Sequence, residues 1–348
     1  MRITDEATLS EAIKGATRPI RPQGGATRVT HKSGGALDMT GLSGITLYEP
    51  GALTLVAQAG TPVHAIETAL GGEDQRLAFE PYFLSEGPST IGGVIATNAS
   101  GPRRIQAGAA RDFLLGVRFV DGAGRIIQNG GRVMKNVTGY DLVKLIAGSW
   151  GQLGVLSQVS LKVLPKPETT GHLVLHGLDA QGAVAAMSSA LGSPFEVSGA
   201  AHMPKQQKTW LRIEGFETQV RYRLDKLKER LGHMGEISMP GTLDWSLLTQ
   251  LSRFSGAGDL WRISVRPSDG PAVAARLPED APYMMDWGGG LIWARLNAAP
   301  DLSGLEGYAT CLNGQVPEAR AAVGVERLVT GLKSAFDPKG LFQGDQAA

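Results

Sequence analysis

Residues 87–101 read Gly87-Pro88-Ser89-Thr90-Ile91-Gly92-Gly93-Val94-Ile95-Ala96-Thr97-Asn98-Ala99-Ser100-Gly101, a run of small residues that opens with a turn and continues into a helix. Upstream, an extended segment at 18–22 feeds a second glycine-rich loop, Gln23-Gly24-Gly25-Ala26-Thr27-Arg28. Each segment has two readings. It is either an ordinary turn, for which paired glycines supply free dihedrals, or a cradle that brings bare amides up to an anion. In the first loop the amides point outward beside the Thr27 hydroxyl. In the second, Gly92 and Gly93 stand at a helix start, where unpaired N–H groups and the helix dipole favour negative charge. Two cradles suit a pyrophosphate better than one, and a bulky side chain at 24, 25, 92 or 93 would hold such a ligand off.

Working outward, residues 5–14 form an amphipathic helix with Asp5 as N-cap, Leu9, Ala12 and Ile13 on one face, and Gly15 past its end. Strands follow at 36–39, 45–48 and 53–59, then a helix with Thr61 as N-cap and Pro62 in its first turn, and an extended stretch at 77–81. Residues 113–121 and 125–128 alternate as a hairpin about Gly122-Ala123-Gly124, 141–147 is helical, and 155–164 is a β-branched strand. Leu164-Pro165-Lys166-Pro167-Glu168 then breaks the pattern, because a Pro-x-Pro run continues neither a strand interior nor a helix. The domain boundary is expected there, giving residues 1–167 and 168–348. The second half suggests strands at 172–177, 195–202, 208–214 and 259–266, helices at 179–191 and 217–231, and a hairpin at 283–296 around Gly288-Gly289-Gly290. A last helix at 326–336 is stopped by Asp337-Pro338-Lys339-Gly340. The class expected is α+β, with a smaller antiparallel α+β second domain.

The chain has 348 residues, long for a single core, and 47 of them are glycine, about twice the usual ~7%. A formal charge of +1 with no basic stripe gives nucleic-acid binding no support. No apolar run reaches the ~18 residues of a bilayer span, and Asp5 and Glu6 stand where a signal peptide would be basic, so a cytoplasmic location is expected. The single cysteine, Cys311, excludes an internal disulfide and a Cys-ligated iron–sulfur cluster. Gly148-Ser149-Trp150-Gly151-Gln152-Leu153-Gly154 has evenly spaced glycines but leads from helix to strand, the reverse of the nicotinamide dinucleotide fingerprint. Histidines stand singly at 31, 64, 172, 176, 202 and 233, and His172 and His176 lie ~13 Å apart along a strand, so no metal site is expected.

Five motifs in order carry a family likeness: Arg-Pro-Gln-Gly-Gly-Ala-Thr at 21–27, the run 87–104, Ala-Arg-Asp-Phe-Leu-Leu-Gly-Val at 110–117, Met-Lys-Asn-Val-Thr-Gly-Tyr-Asp-Leu at 134–142 and Gly-Ser-Trp-Gly-Gln-Leu-Gly-Val at 148–155. Together they resemble the PCMH-type FAD-binding domain of the vanillyl-alcohol-oxidase family, and within it the FAD-binding subunits of bacterial glycolate oxidases. The likeness returns at Asp286-Trp287-Gly288-Gly289 and at 336–340. It implies a two-subdomain FAD-binding domain, with Gly24, Gly25, Ala26 and Thr27 as the first pyrophosphate loop and Thr90, Ile91, Gly92 and Gly93 as the second. By the same resemblance Thr97, Ser100 and Gly101 flank the flavin, Gly154 and Val155 offer backbone to the ring or the adenine side, and Pro81 lines the adenine side. Lys135 and Tyr140 belong to the motif, the tyrosine being either a cofactor contact or a buried side chain with its hydroxyl satisfied. Arg103 and Arg104 neutralise phosphate charge or sit in solvent, with solvent favoured.

Members with covalent flavin carry a His in the first loop or a nearby Cys; here the loop reads Gly-Gly-Ala-Thr, so the FAD is expected to be non-covalent. The larger flavoproteins of the 2-hydroxy-acid group also carry a His-x-Gly-Asp-Gly-Asn-like segment and C-terminal histidines, which find no counterpart here. The resemblance therefore implies a FAD-binding subunit in glycolate oxidation, working with a larger FAD-linked catalytic subunit and an iron–sulfur subunit, with any peripheral membrane association made through that complex. Two alternatives stay open. One is an assembly subunit whose FAD is non-catalytic. The other is a stand-alone 2-hydroxy-acid (D-lactate) dehydrogenase or oxidase contacting substrate through Arg262, Arg266, Asp286, Trp287, Trp293 and Arg295, residues that serve equally as surface ion pairs and core.

Overall fold

The computed structural model describes residues 1–28, 34–132, 139–312 and 325–342. Two compact units emerge, the first holding residues 1–100 and 108–165, the second Gly101–Ala107 and most of 166–312. Where one cut after residue 167 was expected, the chain changes unit after Ser100, Ala107 and Pro165, and residues 325–342 belong again to the first unit.

The first unit begins with helix α1 (Glu6–Lys14), capped by Asp5 Oδ1, which accepts from the Thr8 amide at 2.7 Å. Strands β1 (Ile20–Gln23) and β2 (Gly35–Asp38) pair in parallel. Then come β3 (Ile45–Glu49), β4 (Thr54–Gln58), helix α2 (Val63–Gly71) and the short β5 (Gln75–Arg76). Pro62, not Thr61, is the N-cap of α2. The Thr61 hydroxyl is already engaged, donating to Gln58 O at 2.7 Å and accepting from Gly44 N at 2.9 Å. No strand forms at 77–81, where an extended stretch was expected; the strand lies just before it, β5, which pairs with β9 below. Helix α3 (Ile91–Ala96) packs on β4 and on a later strand, and α4 (Arg104–Ala107) belongs to the second unit. The hairpin β6 (Leu114–Val120) and β7 (Ile126–Gly130), helix α5 (Leu142–Ile146), β8 (Val155–Lys162) and β9 (Leu164–Pro165) complete the run. A five-stranded antiparallel sheet has the order β3-β4-β8-β6-β7, and its centre, β8, buries Val155, Leu156, Val159 and Leu161.

The second unit is an eight-stranded antiparallel sheet, built from β10 (Thr169–His176), β11 (Val197–Met203), β12 (Lys208–Gly215), β13 (Glu236–Ser238), β14 (Asp259–Val265), β15 (Tyr283–Asp286), β16 (Leu291–Leu296) and β17 (Gly307–Cys311). The spatial order is β13-β10-β12-β11-β15-β16-β14-β17. Helices α6 (Ala180–Leu191) and α7 (Glu217–Leu231) follow β10 and β12, α8 (Ser246–Thr249) and α9 (Gly270–Ala274) are short, and the buried faces of α6 and α7 close one core with the sheet. The α+β class is as expected from the alternation of strands and helices.

Helix α10 (Glu326–Phe336) ends at Asp337, whose carboxylate accepts from the amides of Leu341 at 2.8 Å and Phe342 at 2.7 Å. That turn drives Leu341 and Phe342 into a cluster with Ile3, Leu9, Ile13, Val120 and Val155 of the first unit.

Candidate dinucleotide-binding cleft

A cleft opens in the first unit. Both glycine segments line it: Gly24, Gly25, Ala26 and Thr27 from the loop after β1, and Thr90, Gly92, Gly93 and Thr97 from the cap and body of α3. Gly154 and Val155 contribute from the start of β8. The two segments meet directly. A Cβ on Gly24 would stand 2.2 Å from Thr90 Oγ1, and one on Gly25 would stand 1.8 Å from Pro88 O, so neither site admits a side chain. Gly154 has φ +154, and a Cβ there would lie 2.7 Å from the Phe119 ring.

The two segments differ in what they offer. Among the described residues, none of the backbone amides from Gly24 to Arg28 has an acceptor. Ala26 takes φ 53, the left-handed conformation that turns successive N–H groups toward one side, as in an anion-binding nest. The second segment, expected to offer bare amides as well, has spent them. Ile91 N donates to Thr61 O at 2.9 Å, Gly92 N to Ala59 O at 2.8 Å, and Gly93 N to Thr90 Oγ1 at 3.4 Å. Its glycines provide close approach instead: a Cβ at Gly92 would lie 2.8 Å from Ala59.

Four expected residues are not in the lining. Ile91 is wholly buried and packs inward from the first turn of α3. The Ser100 hydroxyl is used locally, donating to Asn98 O at 3.1 Å and accepting from Ala110 N at 2.9 Å. Pro81 is buried away from the cleft, and Gly101 belongs to the second unit. Lys135 and His31 lie outside the described residues. Tyr140 is 88% exposed, which removes the buried-side-chain reading of the two held open for it, and its backbone carbonyl accepts from Asn129 Nδ2 at 3.1 Å.

Arg28, Ser149, Trp150 and Phe342 also line the cleft, and the sequence did not single them out. Arg28 is 7% exposed; its Nη2 donates to Tyr82 O and reaches Ser89 Oγ at 3.4 Å, while its Cζ lies 5.0 Å from the Tyr82 ring centroid. Among the described residues its Nε and Nη1 have no partner, and neither has the buried Ser149 hydroxyl. Burial lowers the guanidinium pKa to about 10, against a raising influence of Tyr82, so it remains a cation at neutral pH. A basic residue next to a paired-glycine loop was a legible signal for Arg28; nothing local marks Phe342.

In the second unit, the expected substrate contacts separate. Trp293 is 1% exposed and part of the interior. Arg295 ties Phe254 O at 3.1 Å, and Arg266 pairs with Glu306 at the surface. Arg262 lies over the Trp287 ring at 5.2 Å, as does Arg104 at 4.5 Å, while Trp287 Nε1 donates to Gly101 O at 3.0 Å and Asp286 Oδ1 accepts from Trp287 N at 2.7 Å. Arg103, expected in solvent, is buried against Glu214 with Nη2 to Oε1 at 2.6 Å. Among the described residues no three His, Cys, Asp or Glu side chains stand close enough to hold a metal ion.

Comparison with known proteins places this geometry. A family model described as FAD binding domain matches residues 1–130. Glycolate oxidase subunit GlcE of Escherichia coli K12 is 38% identical over 307 residues, 86% of this chain and 83% of that protein. Glycolate oxidase subunit GlcD of Bacillus subtilis is 39% identical over 117 residues, 34% of this chain but only 24% of that protein. A solved alkyldihydroxyacetonephosphate synthase shares the fold, with a TM-score of 0.69 at 16% identity, covering 98% of this chain and 76% of that one. FAD is the cofactor of this class, and the cleft suits it: the bare amides of 24–28 match a diphosphate, and the glycines let the segments that line the cleft pack together where a Cβ would clash with Thr90, Pro88 or Ala59. On these grounds the chain belongs to the FAD-dependent oxidoreductase family of glycolate oxidase subunit GlcE.

Proposed function

We propose that this chain is the FAD-binding subunit of a glycolate-oxidising complex, holding its FAD without a covalent bond in the cleft of the first unit. Five consecutive amides, Gly24 to Arg28, that have no acceptor among the described residues carry the cofactor assignment. They would hold the diphosphate, with Gly92, Gly93 and Thr97 admitting the dinucleotide on the opposite wall and Gly154 and Val155 offering backbone beside it. When bound, FAD supplies a two-electron acceptor that can pass electrons on singly. The chain's own residues bind and orient it. The described lining residues offer no base for the substrate's proton: they include one guanidinium and no carboxylate, imidazole, phenol or amine. Oxidising a 2-hydroxy acid needs such a base held over the reacting carbon. That observation favours a division of labour in which a larger FAD-linked subunit does the substrate chemistry and an iron–sulfur subunit removes the electrons, since Cys311 alone builds no cluster. Among the described residues no helix is long and apolar enough to cross a membrane; a cytoplasmic location, with any membrane contact made through the complex, completes the proposal.

The purified chain tests it directly. It should be yellow and release unmodified FAD into the supernatant on acid precipitation; flavin that remains with the pellet contradicts the non-covalent assignment, and a colourless chain that takes up no FAD contradicts the site.

A further inference from the structure

Arg28 reaches across the cleft from the first glycine loop to the second, its Cδ lying 3.8 Å from the position a Gly93 Cβ would occupy. It is 93% removed from solvent by its 7% exposure, and two of its three nitrogens, Nε and Nη1, have no hydrogen-bond partner among the described residues. Among the described residues no carboxylate pairs with it. A buried cation left unpaired is costly, and breaking the habit of pairing needs a reason. Holding the Tyr82 carbonyl is not sufficient reason, because that contact uses one nitrogen and a neutral donor would serve. Nε–H and the Nη1 hydrogens lie on different sides of the guanidinium, with Cδ between them, and each is left for a separate acceptor oxygen, as the two phosphates of a diphosphate provide.

We propose that Arg28 is a side-chain clamp on the diphosphate of the dinucleotide, making the cleft selective for FAD over flavins that lack the diphosphate. The proposal rests on the reading that this cleft holds FAD. It has a consequence that a structural arginine would not share. The same cation that tightens the bound state burdens the FAD-free state, so replacing it with an apolar side chain of similar length should move the two in opposite directions.

The test uses the full-length chain stripped of FAD, as wild type, Arg28→Met and Arg28→Lys. FAD affinity is measured by quenching of flavin fluorescence at several salt concentrations, and thermal stability of the FAD-free chain is measured alongside. Arg28→Met is expected to weaken FAD roughly 10- to 100-fold, the worth of charge-assisted hydrogen bonds to a phosphate, and to flatten the salt dependence. Its FAD-free form should melt at the wild-type temperature or above. Arg28→Lys, which keeps the charge and loses the two separate N–H positions, should fall between. Affinity unchanged within twofold in Arg28→Met overturns the clamp and leaves the FAD site standing. A fall in affinity accompanied by a lower melting temperature, or failure of both variants to fold, makes Arg28 a structural tie and also overturns it. Absence of FAD binding by the wild type removes the reading of the site itself.

Discussion

Glu214→Gln should destabilise the second unit far more than its conservative size suggests. Glu214 Oε1 sits 2.6 Å from Arg103 Nη2, and Oε2 sits 3.7 Å from Arg212 Nε, with the three side chains 8%, 4% and 5% exposed. Removing the negative charge leaves two buried guanidiniums facing a neutral amide, a situation that costs about 3–5 kcal/mol when one partner of a buried pair is lost. Arg212 retains Ser198 O at 3.1 Å and Ser198 Oγ at 3.2 Å and lies over the Trp245 ring, so the lower end, about 3 kcal/mol, is expected. At ~2 kcal/mol per molar of urea, the midpoint should drop by roughly 1.5 M. Tryptophan emission isolates the relevant unit, because Trp210, Trp245, Trp261, Trp287 and Trp293 all lie in it, whereas Trp150 lies in the first. Replacing both Arg103 and Glu214 with leucine should recover most of the loss, since a filled apolar pair needs no counter-charge. A midpoint shift below ~0.3 M for Glu214→Gln, on the same slope, would refute the reasoning and show that the pair contributes only as a solvated surface bridge does.

Further outcomes are expected. Gly93→Asp, on the cleft wall, should abolish FAD binding, while Gly131→Asp, where a Cβ meets nothing within 4 Å, should leave it intact; equal flavin loss in both folded variants would reverse the assignment of the cleft. His202, 1% exposed and hydrogen-bonded through Nδ1 to Thr209 Oγ1 at 3.0 Å, has its pKa lowered by burial to about 4. The unfolded chain takes up that proton near pH 6.5 and the folded chain does not, so stability falls as pH drops from ~6.5 toward 4, by ~3 kcal/mol, and is flat above. Urea titrations of His202→Gln should lose that slope, and an unchanged slope would show that another group carries it. The isolated FAD-loaded chain should turn over glycolate or D-lactate with a dye acceptor far below the ordinary enzyme rate of ~10 per second; several per second would establish a self-sufficient dehydrogenase.

Much of this was legible in the sequence wherever local chemistry decides the outcome. The Asp5 cap, the hairpin at Gly122-Ala123-Gly124 and the final helix stopped at Asp337 follow from short-range rules, and they form as expected. The two glycine segments were visible as candidates, and they do share one cleft. What the sequence hid is whatever depends on distant partners. The amides of Gly92 and Gly93 looked bare until Ala59 and the Thr90 hydroxyl were brought up to them. Arg103 looked solvated because its carboxylate, Glu214, stands 111 residues away. Phe342 reaches the cleft through the turn that Asp337 builds, and no periodicity announces that.

Phe342 also sets an order of events during synthesis. Its side chain and that of Leu341 complete the apolar cluster around Ile3, Leu9 and Ile13, yet the ribosome makes them only after the whole second unit. At ~5–20 residues per second, the roughly 175 residues after Pro165 occupy about 9–35 s of elongation. Through that interval the nascent first unit has its sheet and both glycine segments but an open patch where Phe342 will sit. Flavin loading is therefore expected only after residue 342 has been made, and a fusion tag placed close behind that residue is expected to weaken FAD binding although it is far from the glycine segments in sequence.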